Sequence, residues 1–214
     1  MPRETQELAE RLRRSIKDSS TDLAHELMSV LFAPLARGLG RLGIQPNMVT
    51  VAGCFASLGA GALIATGHWY AALGVALFGG LLDGVDGLLA RESQQMTPFG
   101  AFLDSVLDRW SDSALFTGLL IWYSGLGAQL ESILSIWALA SSLLVSYTRA
   151  RAEGIGAECR RGLFTRLERV GLILAGLAFN QMTIVLWIVA ILSTFTALQR
   201  IYFTWRSVQA SQNQ

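Results

Sequence analysis

The chain has 214 residues, of which 52% are hydrophobic and 15% charged, with a formal net charge of +1. A charge so close to neutral gives no basis for a nucleic-acid partner. The apolar residues come in long blocks with charges at the block ends, which excludes an ordinary soluble domain and predicts an all-α polytopic membrane protein.

Residues 1–41 form a polar N-terminal arm followed by a juxtamembrane segment. Over 21–41 an apolar face (Leu23, Leu27, Leu31) alternates with polar positions, the pattern of an amphipathic helix lying in the membrane interface. The charged first twenty residues lack an apolar core, so no cleavable signal peptide is expected. Pro46, with Asn47 and Thr50 able to meet free backbone N–H groups, opens the first span. Six spans are expected, over about 47–67, 69–90, 98–123, 130–152, 163–180 and 182–203, each near the roughly 20 residues a crossing needs. Together they make a six-helix transmembrane domain over 42–205, with 206–214 as a polar tail. Cys54 lies in an apolar block and Cys159 in a charged loop, so no disulfide framework is expected.

The connections after spans 1, 3 and 5 (Gly67-His68, Ser124–Gln129, Asn180-Gln181) hold no Lys or Arg. The opposite ends hold Arg91, Arg109, Arg149, Arg151, Arg160, Arg161, Arg166, Arg169, Arg200 and Arg206. Basic residues mark the cytoplasmic side. The expected location is therefore the cytoplasmic (inner) membrane, with both termini and the charged chemistry facing the cytoplasm.

Two pairs of carboxylates interrupt the apolar pattern. Asp83 and Asp86 close span 2, and Asp104 and Asp108 open span 3. Spacings of three and four put each pair on one helix face, and a short loop makes the two helices antiparallel neighbours. Unpartnered charges are costly in such a setting, and hard oxygen ligands favour a divalent cation. Asp112 extends the face of Asp108 and is expected to pair with an arginine. His25 and His68 lie far from the acids and are not expected to act in catalysis.

The run Asp83-x2-Asp86-Gly87-x2-Ala90-Arg91-x8-Gly100-x3-Asp104-x3-Asp108 resembles the signature of the CDP-alcohol phosphatidyltransferases at every defined position. The resemblance implies transfer of a phosphatidyl group from a CDP-linked lipid, usually CDP-diacylglycerol, to the hydroxyl of a small polar alcohol, with release of CMP. It further implies Mg²⁺ or Mn²⁺, two ions, held by Asp83, Asp86, Asp104 and Asp108. Asp108 would also be the catalytic base. Asp83, Gly87, Ala90, Arg91, Asn47 and Thr50 would receive the nucleotide, and the chain would be a homodimer. Phosphoryl transfer fits such a site, because it rests on positioning and on neutralising phosphate oxygens.

The segment SYTRARAEG followed by GLFTRLER is similar to the branch that uses inositol phosphate, which implies acceptor binding by Arg149, Arg151 and Arg169. So many arginines favour an anionic acceptor, inositol phosphate or alternatively glycerol 3-phosphate. A cation transporter using intramembrane acids is the competing class. It leaves Gly87, Ala90, Arg91 and Gly100 at fixed spacing without a purpose.

Overall fold

The computed structural model describes residues 32–157 and 162–212, and within them the chain is all helical. The helices are α1 (residues 32–41), α2 (Pro46–Ala65), α3 (Trp69–Glu92), α4 (Pro98–Gly125), α5 (Gln129–Gly154), α6 (Arg166–Phe179) and α7 (Met182–Gln212). The residues Leu23, Leu27, Leu31, His25, Cys159, Arg160 and Arg161 lie outside the described residues.

Local chemistry sets the helix ends. Pro46 and Pro98 open α2 and α4, where a missing N–H costs nothing, and the Thr97 side chain accepts from Gly100 N at 3.0 Å. Helix α6 begins at a capping box, Thr165 with Glu168, which places its start three residues after the expected 163. Helix α7 runs past the expected 203 and takes in residues of the expected polar tail through Gln212. No Gly or Pro lies between Thr194 and Gln212 to stop it.

Helix α2 is the hub, packing most extensively against α3 and α4, while α5 pairs with α7 and with α4. Small residues make the α2 crossings possible. A Cβ on Gly61 would strike the Ala114 backbone, one on Gly118 would strike the Gly61 backbone, and one on Gly53 would lie 3.4 Å from Gly79 O. Ala60, Ile64, Leu115, Phe116, Leu119, Leu134, Ile173, Leu177 and Leu186 fill the main core. A smaller cluster joins Ala36 of α1 to Val49, Val85 and Leu89 at the other end of α2 and α3. Several interior hydroxyls return to the preceding turn, as Thr50 does to Pro46 O (3.1 Å) and Ser57 to Gly53 O (3.1 Å), which pairs them within their own helix. Outward faces carry Phe55, Phe78, Trp137, Ile191 and Leu198, all exposed, as lipid contact requires.

Among the described residues, four helices are long and apolar enough to cross a membrane: α2, α3, α5 and Met182–Gln209 of α7. Helix α4 is long enough, with 28 residues, but carries Asp104, Asp108, Arg109 and Asp112. Helix α6 has 14 residues, a length of about 21 Å. It touches α3 and α7 only lightly, which leaves space beside the acids.

Candidate functional site

Helix periodicity builds the acidic face from both sides. Asp83 and Asp86 project from the C-terminal half of α3, and Asp104, Asp108 and Asp112 follow one another at intervals of four along α4. Carboxylate oxygens of Asp83, Asp104 and Asp108 converge within 4.8 Å of one another. Asp86, also expected to bind metal, is not part of that trio. It is 6% exposed, and its Oδ2 is buried with no hydrogen-bond partner. An orphaned buried carboxylate oxygen is costly, so it fits a site that a cation or donor completes.

Three cavities meet at these acids. The first, of about 190 Å³, is lined by Asn47, Thr50, Asp86, Gly87, Ala90, Arg91, Gly100 and Asp104. It gathers every residue expected to receive the nucleotide except Asp83. A Cβ at Gly87 would meet nothing within 4 Å, so any side chain there would take up open space beside the lining. Gly100 is small for another reason: a Cβ would lie 3.1 Å from Asn47 Oδ1 and 3.0 Å from Thr97 Oγ1. Its absence lets the starts of α2 and α4 meet at this wall.

The second cavity, of about 460 Å³, is lined by Arg109, Arg149, Arg166, Arg169 and Arg200 together with Asp104, Asp108, Asp112 and Glu153. Arg149 stands at its mouth, more than half exposed, with Nε 2.8 Å from Glu153 Oε1. Arg169 is 2% exposed and donates from Nη2 to Asp112 Oδ2 at 3.0 Å, while its Nε and Nη1 have no hydrogen-bond partner. Arg200 donates from Nη1 to Val145 O at 2.6 Å. The third cavity, about 310 Å³, lies between α2, α3, α4 and α6. Gly53, Ser57, Ala76, Gly79 and Gly80 wall it, and it reaches Asp83, Asp108, Asp112 and Arg166. Asp104 borders the first two cavities, and Asp108, Asp112 and Arg166 border the last two.

Arg151 does not share this site. It is exposed and lines none of the three cavities. Residues two apart on a helix point in different directions, so α5 cannot turn both Arg149 and Arg151 into one cavity. Asp112 pairs with arginine as expected, with Arg169 and, at 3.4 Å, with Arg166 Nε.

Sequence reasoning passed over Arg166, a cation in direct contact with the acids. Its Nη1 lies 2.7 Å from Asp83 Oδ2 and 2.8 Å from Asp108 Oδ1. Its position three residues before Arg169, just after a capping threonine, is the signal that marks it as sharing Arg169's face. Arg200 was passed over too, although it is a lone charge in the apolar run of the last helix.

The sequence pattern that defines the CDP-alcohol phosphatidyltransferases matches residues 44–205. An uncharacterized protein of Aquifex aeolicus is 38% identical over 183 residues, covering 85% of this chain and 93% of its own length. The phosphatidylinositol phosphate synthase of Mycobacterium marinum is 38% identical over 189 residues, covering 83% and 81%. The crystal structure of the Mycobacterium tuberculosis phosphatidylinositol phosphate synthase with CDP-DAG bound is similar at 35% identity and a TM-score of 0.78, covering 82% of this chain and 94% of that one. Its complex with manganese and citrate is similar at a TM-score of 0.76 and 35% identity, covering 81% and 88%.

Proposed function

This chain belongs to the CDP-alcohol phosphatidyltransferase family, and on that premise we propose that it transfers a phosphatidyl group from CDP-diacylglycerol to the hydroxyl of inositol phosphate. CMP is the leaving group, and the product enters phospholipid biosynthesis. The observation that carries this reading is the meeting of three carboxylates, Asp83, Asp104 and Asp108, with a cavity lined by five arginines. The names of the similar proteins point to the same donor and acceptor.

The donor set is all carboxylate oxygen, and with the orphaned Asp86 Oδ2 it suits Mg²⁺ or Mn²⁺. Asp83, Asp86, Asp104 and Asp108 would hold two ions. When bound, they supply positive charge to the phosphate oxygens of donor and leaving group. The rest falls to the chain itself. Asn47, Thr50, Gly87, Ala90 and Arg91 line the cavity that would take the cytidine end, with Arg91 positioned to neutralise diphosphate. Arg149, Arg166, Arg169 and Arg200 would hold the acceptor's phosphate and fix its hydroxyl toward Asp108. The acceptor oxygen forms a bond to the lipid-bearing phosphorus, the bond from that phosphorus to the CMP oxygen breaks, and Asp108 takes the hydroxyl proton. Arg151 has no part in this arrangement.

The chain is a multi-pass membrane protein. In our reading it crosses six times as a domain over 42–205, with both termini and the acids on the cytoplasmic side of the inner membrane. Two features support this. The α2–α3, α4–α5 and α6–α7 turns carry no Lys or Arg. The charges of α4 line cavities instead of facing lipid. With native cysteines replaced, Leu126→Cys should react with an impermeant maleimide in intact cells, and Gln95→Cys only after permeabilisation. Protection of Leu126→Cys would mean that α4 does not cross. The resemblance also implies a homodimer, which light scattering in detergent would read as twice the chain mass; a single chain mass would remove it.

The decisive assay uses purified protein in detergent with CDP-diacylglycerol, Mg²⁺ or Mn²⁺, and inositol phosphate, glycerol 3-phosphate, inositol or serine. CMP release should require metal and be fastest with inositol phosphate. Release with glycerol 3-phosphate alone would change the acceptor, and none with any acceptor would sink the reading. Arg149→Ala should raise the acceptor KM about 10- to 100-fold, the value of one charge-assisted hydrogen bond, and leave the donor KM within about twofold. An unchanged acceptor KM takes Arg149 out of the pocket.

A further inference from the structure

We propose that Arg166 is a tethered counter-cation: it holds the metal-binding carboxylates together before divalent ions arrive, and the ions displace it from Asp83 and Asp108. The inference rests on the assignment of those carboxylates to metal, and it concerns what one residue of this chain does toward that metal.

The geometry is specific. A single guanidinium nitrogen, Nη1, lies 2.7 Å from Asp83 Oδ2 on α3 and 2.8 Å from Asp108 Oδ1 on α4. Both residues belong to the convergent trio. Three carboxylates within 4.8 Å repel one another strongly where water is scarce. Arg166 offsets part of that repulsion and bridges the two helices. A small divalent ion held by this trio needs carboxylate oxygens at about 2.0–2.1 Å. Each carboxylate has a second oxygen, so the competition is one of charge: ion and guanidinium are drawn to the same two carboxylates, and their like charges repel at such range. Metal binding must therefore work against two ion pairs.

Arg166 also has somewhere to go. It sits on the wall between the arginine-lined and glycine-lined cavities and is about a quarter exposed. Its Nε is 3.4 Å from Asp112 Oδ1, and Asp112 is fixed independently by Arg169 at 3.0 Å. A carboxylate outside the metal trio thus remains to keep the displaced side chain near the site. The capping box of Thr165 and Glu168 fixes the start of α6, so the exchange needs a side-chain movement and no unwinding.

The test uses full-length protein in detergent, stripped with EDTA and titrated with Mn²⁺, with free Mn²⁺ followed by electron paramagnetic resonance. Arg166→Gln should bind Mn²⁺ about tenfold or more tightly than wild type, because the competitor is gone. The same variant should melt below wild type without metal, and the gap should shrink at saturating Mn²⁺. A merely structural arginine would leave the Mn²⁺ affinity unchanged and the gap equal in both conditions; either result overturns the proposal. A measurement on wild type keeps the test alive if the variant does not fold. Mn²⁺ should speed the reaction of Arg166 with phenylglyoxal, read by mass spectrometry, and an unchanged or slower rate refutes displacement. Absence of any Mn²⁺ binding by wild type would overturn the metal assignment and this inference together. Equal Mn²⁺ binding by wild type and Arg166→Gln would overturn this inference alone.

Discussion

Asp104→Asn and Asp108→Asn are each expected to lower kcat by about 10²–10⁴-fold, the range associated with losing a positioned proton acceptor or a key electrostatic group. Asparagine keeps the shape and one oxygen, so the loss isolates charge and basicity from packing. The two variants should differ in a second readout. Asp104 borders both the nucleotide-side cavity and the arginine-lined cavity, so its amide should weaken Mn²⁺ binding and raise the donor KM. Asp108 borders the arginine-lined cavity and lies 2.8 Å from Arg166. Its amide should leave the donor KM near wild type while turnover falls. Activity above about a tenth of wild type in either variant would be incompatible with these roles. A loss confined to donor KM in Asp108→Asn would leave that residue a metal ligand only and remove it as the base.

The acids were legible in the sequence because the rule that places them is local. Spacings of three and four fix a face on any helix, and the polar Glu92–Pro98 stretch fixes a sharp return, so Asp83, Asp104 and Asp108 converge with little help from tertiary packing. The same holds for Pro98, which marks the first residue of both the expected span and α4. The arginines were legible only as a basic segment. Which of them meets the acids depends on the rotation of α5 and α6 about their own axes, and packing against α3, α4 and α7 decides that. Period alone could have separated Arg149 from Arg151, since they lie two apart. It could also have joined Arg166 to Arg169, since the capping box starts the helix at Arg166. The number of crossings is harder to read, because α4 must bury its charges to cross, and burial is a property of the assembled bundle.

Arg169 tests that assembled interior most severely. Arg169→Met is expected to destabilise the protein by about 3–5 kcal/mol, the cost of breaking a buried ion pair from one side, read as a lowered unfolding midpoint in detergent. Asp112 would keep one partner, Arg166, but at 3.4 Å and at an angle set by its bonds to Asp83 and Asp108. The double variant Arg169→Met with Asp112→Asn should recover part of the loss, because it removes the stranded charge along with its partner. Equal loss in single and double variants would mean that the pair is not coupled. The second half of the prediction concerns the two guanidinium nitrogens, Nε and Nη1, that are buried without hydrogen-bond partners beside the arginine-lined cavity. Buried donors left open are costly unless an anion completes them. Inorganic phosphate should therefore raise the melting temperature of wild type and have a much smaller effect on Arg169→Met. An equal rise in both proteins would place the phosphate on the other arginines and make Arg169 a structural residue alone. A rise confined to wild type would show that the residue which anchors Asp112 also recognises the acceptor, so that the stability of α4 and the affinity for the anionic alcohol share one side chain.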